Sequence, residues 1–506
     1  MLNLRLFRNP AGLLALGTLL TLGACDHRTP PDPSLVPDVT IYALNDANQL
    51  LRTSVRTPNT PSATVGLTGL QPGEQILAVD FRPATGQLYG ISNQSRIYVI
   101  NYTTGVARAI GNPFTPALSG SAVGFDFNPT VDRIRVTTNT GQNLRVNPET
   151  GAVQNVDGTI NGVANAQITS VAYTNNRAGV TSTVLYDIDP VTDRLYIQNP
   201  PNNGGLADVG PLGLDVTAVG GFDIAPDGRG LVATVFNGQS ELSQIDLGTG
   251  KLQKLGNLPG NIIGLAIPTE PVAYAVDNNA NLHIFNPLAP NPIVKPINGL
   301  LSSRNFRELL VGIDFRPLNG QLYGISDTGR LFTINTSNGD ATFVAQLSVP
   351  LNSTELGFDF NPVPDRIRIV SNTGQNLRVN PADGVAAVDG AINGASTNIT
   401  ASAYTNNFAG TTTTQLFNID AATGSLYLQN PPNNGTQALV GSLNLPAFEA
   451  TNGFDIGGTS NTAYALLRVS NGVNVYTINL SNGAATLVST LPTSPVIRGM
   501  AVGLGF

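Results

Sequence analysis

The sequence predicts an all-β chain. Its strand-like runs are four to seven residues long, rich in Val, Ile, Tyr, Phe and Thr, and bounded by Gly, Pro, Asn and Asp. No segment keeps a 3.6-residue amphipathic period over ten or more positions, and 54 Gly with 35 Pro supply turns throughout. A unit of strand, turn, strand, turn, strand, turn, strand recurs with starts near Ile76, Ala122, Ile168, Val219 and Ile262, spacings of 46, 46, 51 and 43. Four strands in roughly 40 to 50 residues is the signature of a β-propeller blade.

The units belong to a duplication. Asp80-Phe81-Arg82-Pro83 returns as Asp314-Phe315-Arg316-Pro317, residues 124–129 return at 357–362, and residues 139–148 return unchanged at 372–381. Residues 195–204 return at 426–435 with one Ile→Leu change. The second copy starts its units near Leu310, Glu355, Thr400, Thr451 and Ile497. Each copy opens with a hairpin lacking a first strand (41–52; the hairpin after Pro271) and ends with a first strand lacking a blade (262–267; 499–502). A ring closes when the last strand completes the first blade, which removes a free sheet edge. Two tandem five-bladed propellers, 39–268 and 269–506, follow if each copy closes on itself. One ten-bladed propeller follows if 262–267 continues into the hairpin after Pro271.

The N-terminus carries an address. Arg5 and Arg8 precede an apolar stretch, 11–22, too short for the roughly 20 residues of a membrane span. Leu22-Gly23-Ala24-Cys25 then resembles the bacterial lipobox, and Cys25 is the chain's single cysteine. The resemblance implies a signal peptide over 1–24, lipidation of Cys25 and a membrane-anchored lipoprotein, exported to the periplasmic face or the cell surface. Residues 25–38, Pro-rich from Thr29 to Pro37, read as an extended tether.

Composition narrows the chemistry. Charged residues are 12%, about half the roughly 25% usual in soluble chains. Net charge is −7, and lysine occurs only at 251, 254 and 295, so nucleic acid is excluded as a partner. Two histidines and one cysteine leave no zinc site and no Ser-His-Asp or Cys-His arrangement.

Two sets of residues remain as candidates for ligand or cation binding. Asp80, Asp126 and Asp223, with Asp314, Asp359 and Asp455, sit between apolar neighbours on first strands. First strands line a propeller's channel, so each copy aims three carboxylates at one axis. Such a set can hold Ca²⁺, the one cofactor considered, or serve glycoside cleavage. Alternatively, each carboxylate locks the Pro turn that follows it. The second set is Asp126, Asp132, Arg133, Arg135, Asn143 and Arg145, repeated as Asp359, Asp365, Arg366, Arg368, Asn376 and Arg378. Three guanidiniums on neighbouring strands can grip an anion or a sugar acid, or pair with Asp126 and Asp132 between blades.

Finally, the GFDFNP, DRIR, NTGQNLRVNP, AYTNN and LYxQNPPNNG runs, present twice in the same order, resemble the bacterial DUF4394 domain over 39–506. That resemblance implies exported proteins of propeller type and brings no activity with it; single-copy members of the family favour two self-closing rings. The expected function is non-catalytic binding or scaffolding at the cell envelope, with a glycan or protein partner and membrane contact through the lipid alone. A polysaccharide-acting enzyme and a purely structural envelope protein are the alternatives.

Overall fold

The computed structural model describes residues 28–301, 307–449 and 453–506. The signal-peptide reading and Cys25 fall outside the described residues. Among the described residues there is no α-helix, only three short 3-10 turns, and the strands form ten sheets, antiparallel except where Asn393–Gly394 runs parallel to Thr436–Ser442. β-branched and aromatic side chains fill the strands, while left-handed Gly and Asn residues make the turns.

In the first copy the innermost strands of sheets two to five are Ile76–Phe81, Val123–Asn128, Ser170–Tyr173 and Ala218–Ile224. Each begins within two residues of the unit starts read from the sequence. Three further strands follow each in simple up-and-down order. Sheet one is different: Ile262–Ala266, from the end of the copy, pairs with Thr40–Asn45 from its beginning, with Leu265 opposite Ala43. The second copy repeats this, as Ile497–Val502 pairs with Ala273–Asp277 and Met500 faces Ala275. Within each copy the innermost strands pack side by side in series. The strand of the fifth sheet lies beside that of the first, so the series returns to its start. Apolar cores fill the spaces between successive sheets, as where Phe125, Phe127 and Val136 of sheet three meet Tyr89 and Ile91 of sheet two.

The Thr29–Pro37 stretch is not a free tether. The Arg28 guanidinium bonds both Glu241 oxygens at 2.6 and 2.7 Å and lies 4.0 Å over the Phe236 ring. The Thr29 carbonyl accepts from Gln253 at 3.0 Å, and the Val36 carbonyl accepts from Arg56 at 2.6 Å. Val36 itself is buried in the core shared by sheets one and five. One apolar side chain and one arginine are enough to seat a proline-stiffened segment that loses little entropy on docking.

Candidate functional site

The six aspartates lie at one register on three of the five innermost strands in each copy. Ala172 and Ala266 hold the matching places on the other two strands of the first copy, and Ala403 and Ala501 do so in the second. Asp80, Asp126 and Asp223 therefore converge, each offering an oxygen within 4.8 Å of the others, and Asp314, Asp359 and Asp455 do the same. All six are about 1% exposed.

One reading of the sequence has each carboxylate lock the Pro turn that follows it. In the structure they instead tie neighbouring sheets together. One Asp80 oxygen accepts from its own neighbour, Phe81, at 2.7 Å, and the other from Phe127 of the next sheet at 2.8 Å. Asp126 accepts from Tyr173 of sheet four at 3.0 Å. Asp223 accepts from Ile224 and from Ile267, which follows the closing strand, both at 2.6 Å. The second copy repeats the pattern, with Asp314 taking Phe360, Asp359 taking Tyr404 and Asp455 taking Val502. Adjacent innermost strands are not paired with each other in a ladder, so these N–H groups find acceptors in side chains.

Burial pushes all six carboxyls up, and repulsion between neighbouring aspartates adds to the rise at Asp80, Asp126, Asp314 and Asp359. Asp223 and Asp455 are raised by burial to about 7 despite two backbone hydrogen bonds each. The spacing of the three oxygens suits a hard cation with oxygen ligands at roughly 2.3–2.6 Å. Five of the six oxygens in each triad accept a backbone N–H, one of them at Asp126 or Asp359 and two at each of the other aspartates, so the triad acts as a clamp between sheets.

The second set is divided by the structure. Arg135, 1% exposed, bonds Asn143 and Asp157 at 2.7 Å and reaches sheet four through Asn202 at 2.8 Å and the Tyr173 hydroxyl at 3.2 Å. Arg145, opposite Arg135 across the strand pair, forks onto the same Asp157 at 2.8 and 2.9 Å. Arg133 turns away to Gln154 and the Asp132 carbonyl. Three guanidiniums therefore do not meet, and Asp126 is not their counter-ion. Arg368, Arg378, Asn376 and Asp389 reproduce the Arg135 arrangement, while Arg366 bonds nearby carbonyls. Burial alone would raise Asp389; bonds from Arg378 and Arg368 hold it below the usual carboxylate range.

Asp132 has another partner that the sequence did not suggest. Arg82, fully buried, bonds Asp132 through Nε at 2.9 Å and through Nη2, and also Glu149 at 3.2 Å. Burial works against the Asp132 anion, yet Arg82 holds that carboxyl below its ordinary range. His283 likewise has a buried partner, Asp277, at 2.9 Å. Asp157 was legible in principle, since Val156-Asp157-Gly158 repeats as Val388-Asp389-Gly390. Open space of about 360 Å³ lies where the innermost strands of the first copy begin, with Leu77, Val123, Thr169, Val219 and Ile263 among its walls.

No curated protein matches the chain. Among solved structures, a candidate 6-phosphogluconolactonase from Bacteroides uniformis is 16% identical, with 66% of this chain and 98% of that one covered at a TM-score of 0.26. The extracellular domain of a candidate hybrid two-component system from B. thetaiotaomicron is 12% identical, with 89% of this chain and 58% of that one covered, also at 0.26. The family model described as a domain of unknown function, DUF4394, matches residues 49–266 and again 281–501. The chain belongs to the DUF4394 family, as two tandem copies.

Proposed function

We propose that the chain is an exported bacterial lipoprotein, anchored through Cys25, whose copies are each a five-bladed β-propeller. On this reading it binds or presents a cell-envelope component, a glycan or a protein, without catalysing a reaction on it. The two-ring reading is supported by the pairing of Ile262–Ala266 with Thr40–Asn45, and of Ile497–Val502 with Ala273–Asp277. In a single ten-bladed ring, 262–267 would instead complete the hairpin after Pro271.

The observation that carries the non-catalytic reading is the state of the six aspartates. Paired glycosidase carboxyls stand roughly 5 to 9.5 Å apart and must be reached by a sugar. Here one oxygen of each aspartate crowds within 4.8 Å of the others, at about 1% exposure, and five of the six oxygens in each triad hold a backbone N–H. The test is a glycan array beside a panel of polysaccharide hydrolysis assays, run on the wild type and on Asp126→Asn. Binding without turnover, unchanged in the variant, is expected. Turnover that disappears in Asp126→Asn would overturn the reading in favour of an enzyme.

A further inference from the structure

We infer that the protein stands on its anchor with the outer rim of the fifth sheet of the first copy, around Arg28, Gln253 and Lys254, laid against an anionic lipid surface. The inference rests on the proposed acylation of Cys25 and goes beyond it, because an anchor alone fixes no orientation.

The argument is one of reach. A free Pro-rich linker over 29–37 would add about 28 Å between lipid and body. Arg28 is instead pinned by two bonds to Glu241 and by the Phe236 ring, and the Thr29 carbonyl is held by Gln253. Only three peptide steps separate Cys25 from Arg28, at most about 11 Å of chain. An acylated Cys25 lies at the bilayer interface, so the rim that holds Arg28 lies there too.

Charge agrees with reach. The chain carries −7 overall, which an anionic surface repels. Two of its three lysines nevertheless stand on this rim. Lys254 shares the Glu241 carboxylate with Arg28 at 2.9 Å, so that one acid answers two cations. Lys251 is exposed just before the outer strand Leu252–Asn257 that carries Gln253 and Lys254, in a turn it shares with the exposed Asp246.

With so few amines, labelling reads the orientation directly. The lipidated protein is placed in vesicles of phosphatidylethanolamine and phosphatidylglycerol, treated with an impermeant amine-acylating reagent, and compared with soluble Cys25→Ser. Labelling of Lys251 and Lys254 relative to Lys295 should fall several-fold on the membrane. Inserting roughly ten Gly and Ser residues between His27 and Arg28, about 17 Å of added reach, should restore it. Equal ratios in the bound and soluble forms would overturn the orientation, and protection that survives the spacer would overturn the short-leash explanation. Cys25→Ser protein that still partitions with membranes would instead bring down the anchor reading itself.

Discussion

The two copies carry the same motifs in different surroundings, and Arg82 and Arg316 display the difference. Each follows the same Asp-Phe pair and each forks onto the matching aspartate, Asp132 or Asp365. Arg82 is fully buried because the second copy covers it: the Gly320 carbonyl accepts from its Nη1 at 3.0 Å, and Thr336 donates to Asp132 at 3.3 Å. The Tyr274 hydroxyl closes the joint on the Ala84 carbonyl at 2.9 Å. The Arg316 and Asp365 side chains keep 17% and 26% of their exposure. The carboxylate triads, by contrast, are bonded alike in both copies. A motif that clamps strands inside one copy is held constant by its own fold, whereas a motif on the outside takes its energetic meaning from whatever lies on it.

The largest expected effect tests the part that is alike. An acid raised by burial binds protons more readily folded than unfolded. Its stabilising contribution is therefore complete below about pH 4 and is lost as pH rises through about 7, the value reached by Asp223 and Asp455. A rise of about three pK units corresponds to roughly 4 kcal/mol per copy. Urea midpoints should accordingly fall between pH 5 and pH 8. Asp223→Asn and Asp455→Asn should each remove a similar share of that slope, and the double variant should leave the part owed to Asp80, Asp126, Asp314 and Asp359, which burial also raises. A slope untouched by either change, or resting on one copy alone, would break the equivalence of the triads.

The next effect tests the part that differs. Arg82→Ala leaves Asp132 and Glu149 facing each other in a covered joint, and stranding buried charge costs about 3–5 kcal/mol. Arg316→Ala opens a pair already in contact with solvent, worth about 0–1 kcal/mol. Denaturant unfolding of the two variants at pH 7 should separate them by several kcal/mol. Equal losses would mean that the cover provided by the second copy does not set the strength of the Arg82 pair.

How much of this was legible follows from what each residue needs. The six aspartates stood out because a charged side chain between two apolar ones at a repeated register is rare in so uncharged a chain. Their bonding was not legible, since it depends on which innermost strand lies alongside, and strands 47 residues apart in sequence provide the N–H groups. The Arg82–Asp132 pair spans 50 residues and its cover 238, distances over which no local pattern extends. The docking of Arg28 was masked by composition, because proline signals stiffness whether a segment is free or seated. The fold was read from periodicity, which is local; the joints came from topology, which is not.

The smallest effect comes from a single departure between the copies. Asn418 donates to the Gln429 side-chain oxygen at 2.7 Å and to that of Gln437 at 3.1 Å, and Gln437 donates to Gln429 at 2.9 Å. The first copy has Asp187, Gln198 and Leu206 in those places. Both Asp187 oxygens and the Gln198 side-chain oxygen are buried without a hydrogen-bond partner among the described residues, because three acceptors have replaced a donor and its receivers. Burial raises the Asp187 carboxyl well above its ordinary range, and Arg135, already bonded to Asp157, Asn143 and Asn202, offsets this only in part. Asp187→Asn restores the amide donor that the second copy uses toward Gln429. It should stabilise the protein by about 1–2 kcal/mol at pH 8, the scale of one satisfied buried polar group. The gain should shrink as pH falls and Asp187 takes up a proton, because the acid then has an O–H to donate to Gln198. The reverse change, Asn418→Asp, should cost a comparable amount at pH 8 and less as pH falls. Asp187→Asn that destabilises at pH 8 would mean that the carboxylate at 187 is matched to Arg135, and that the two copies differ there by design of charge and not by loss of a donor.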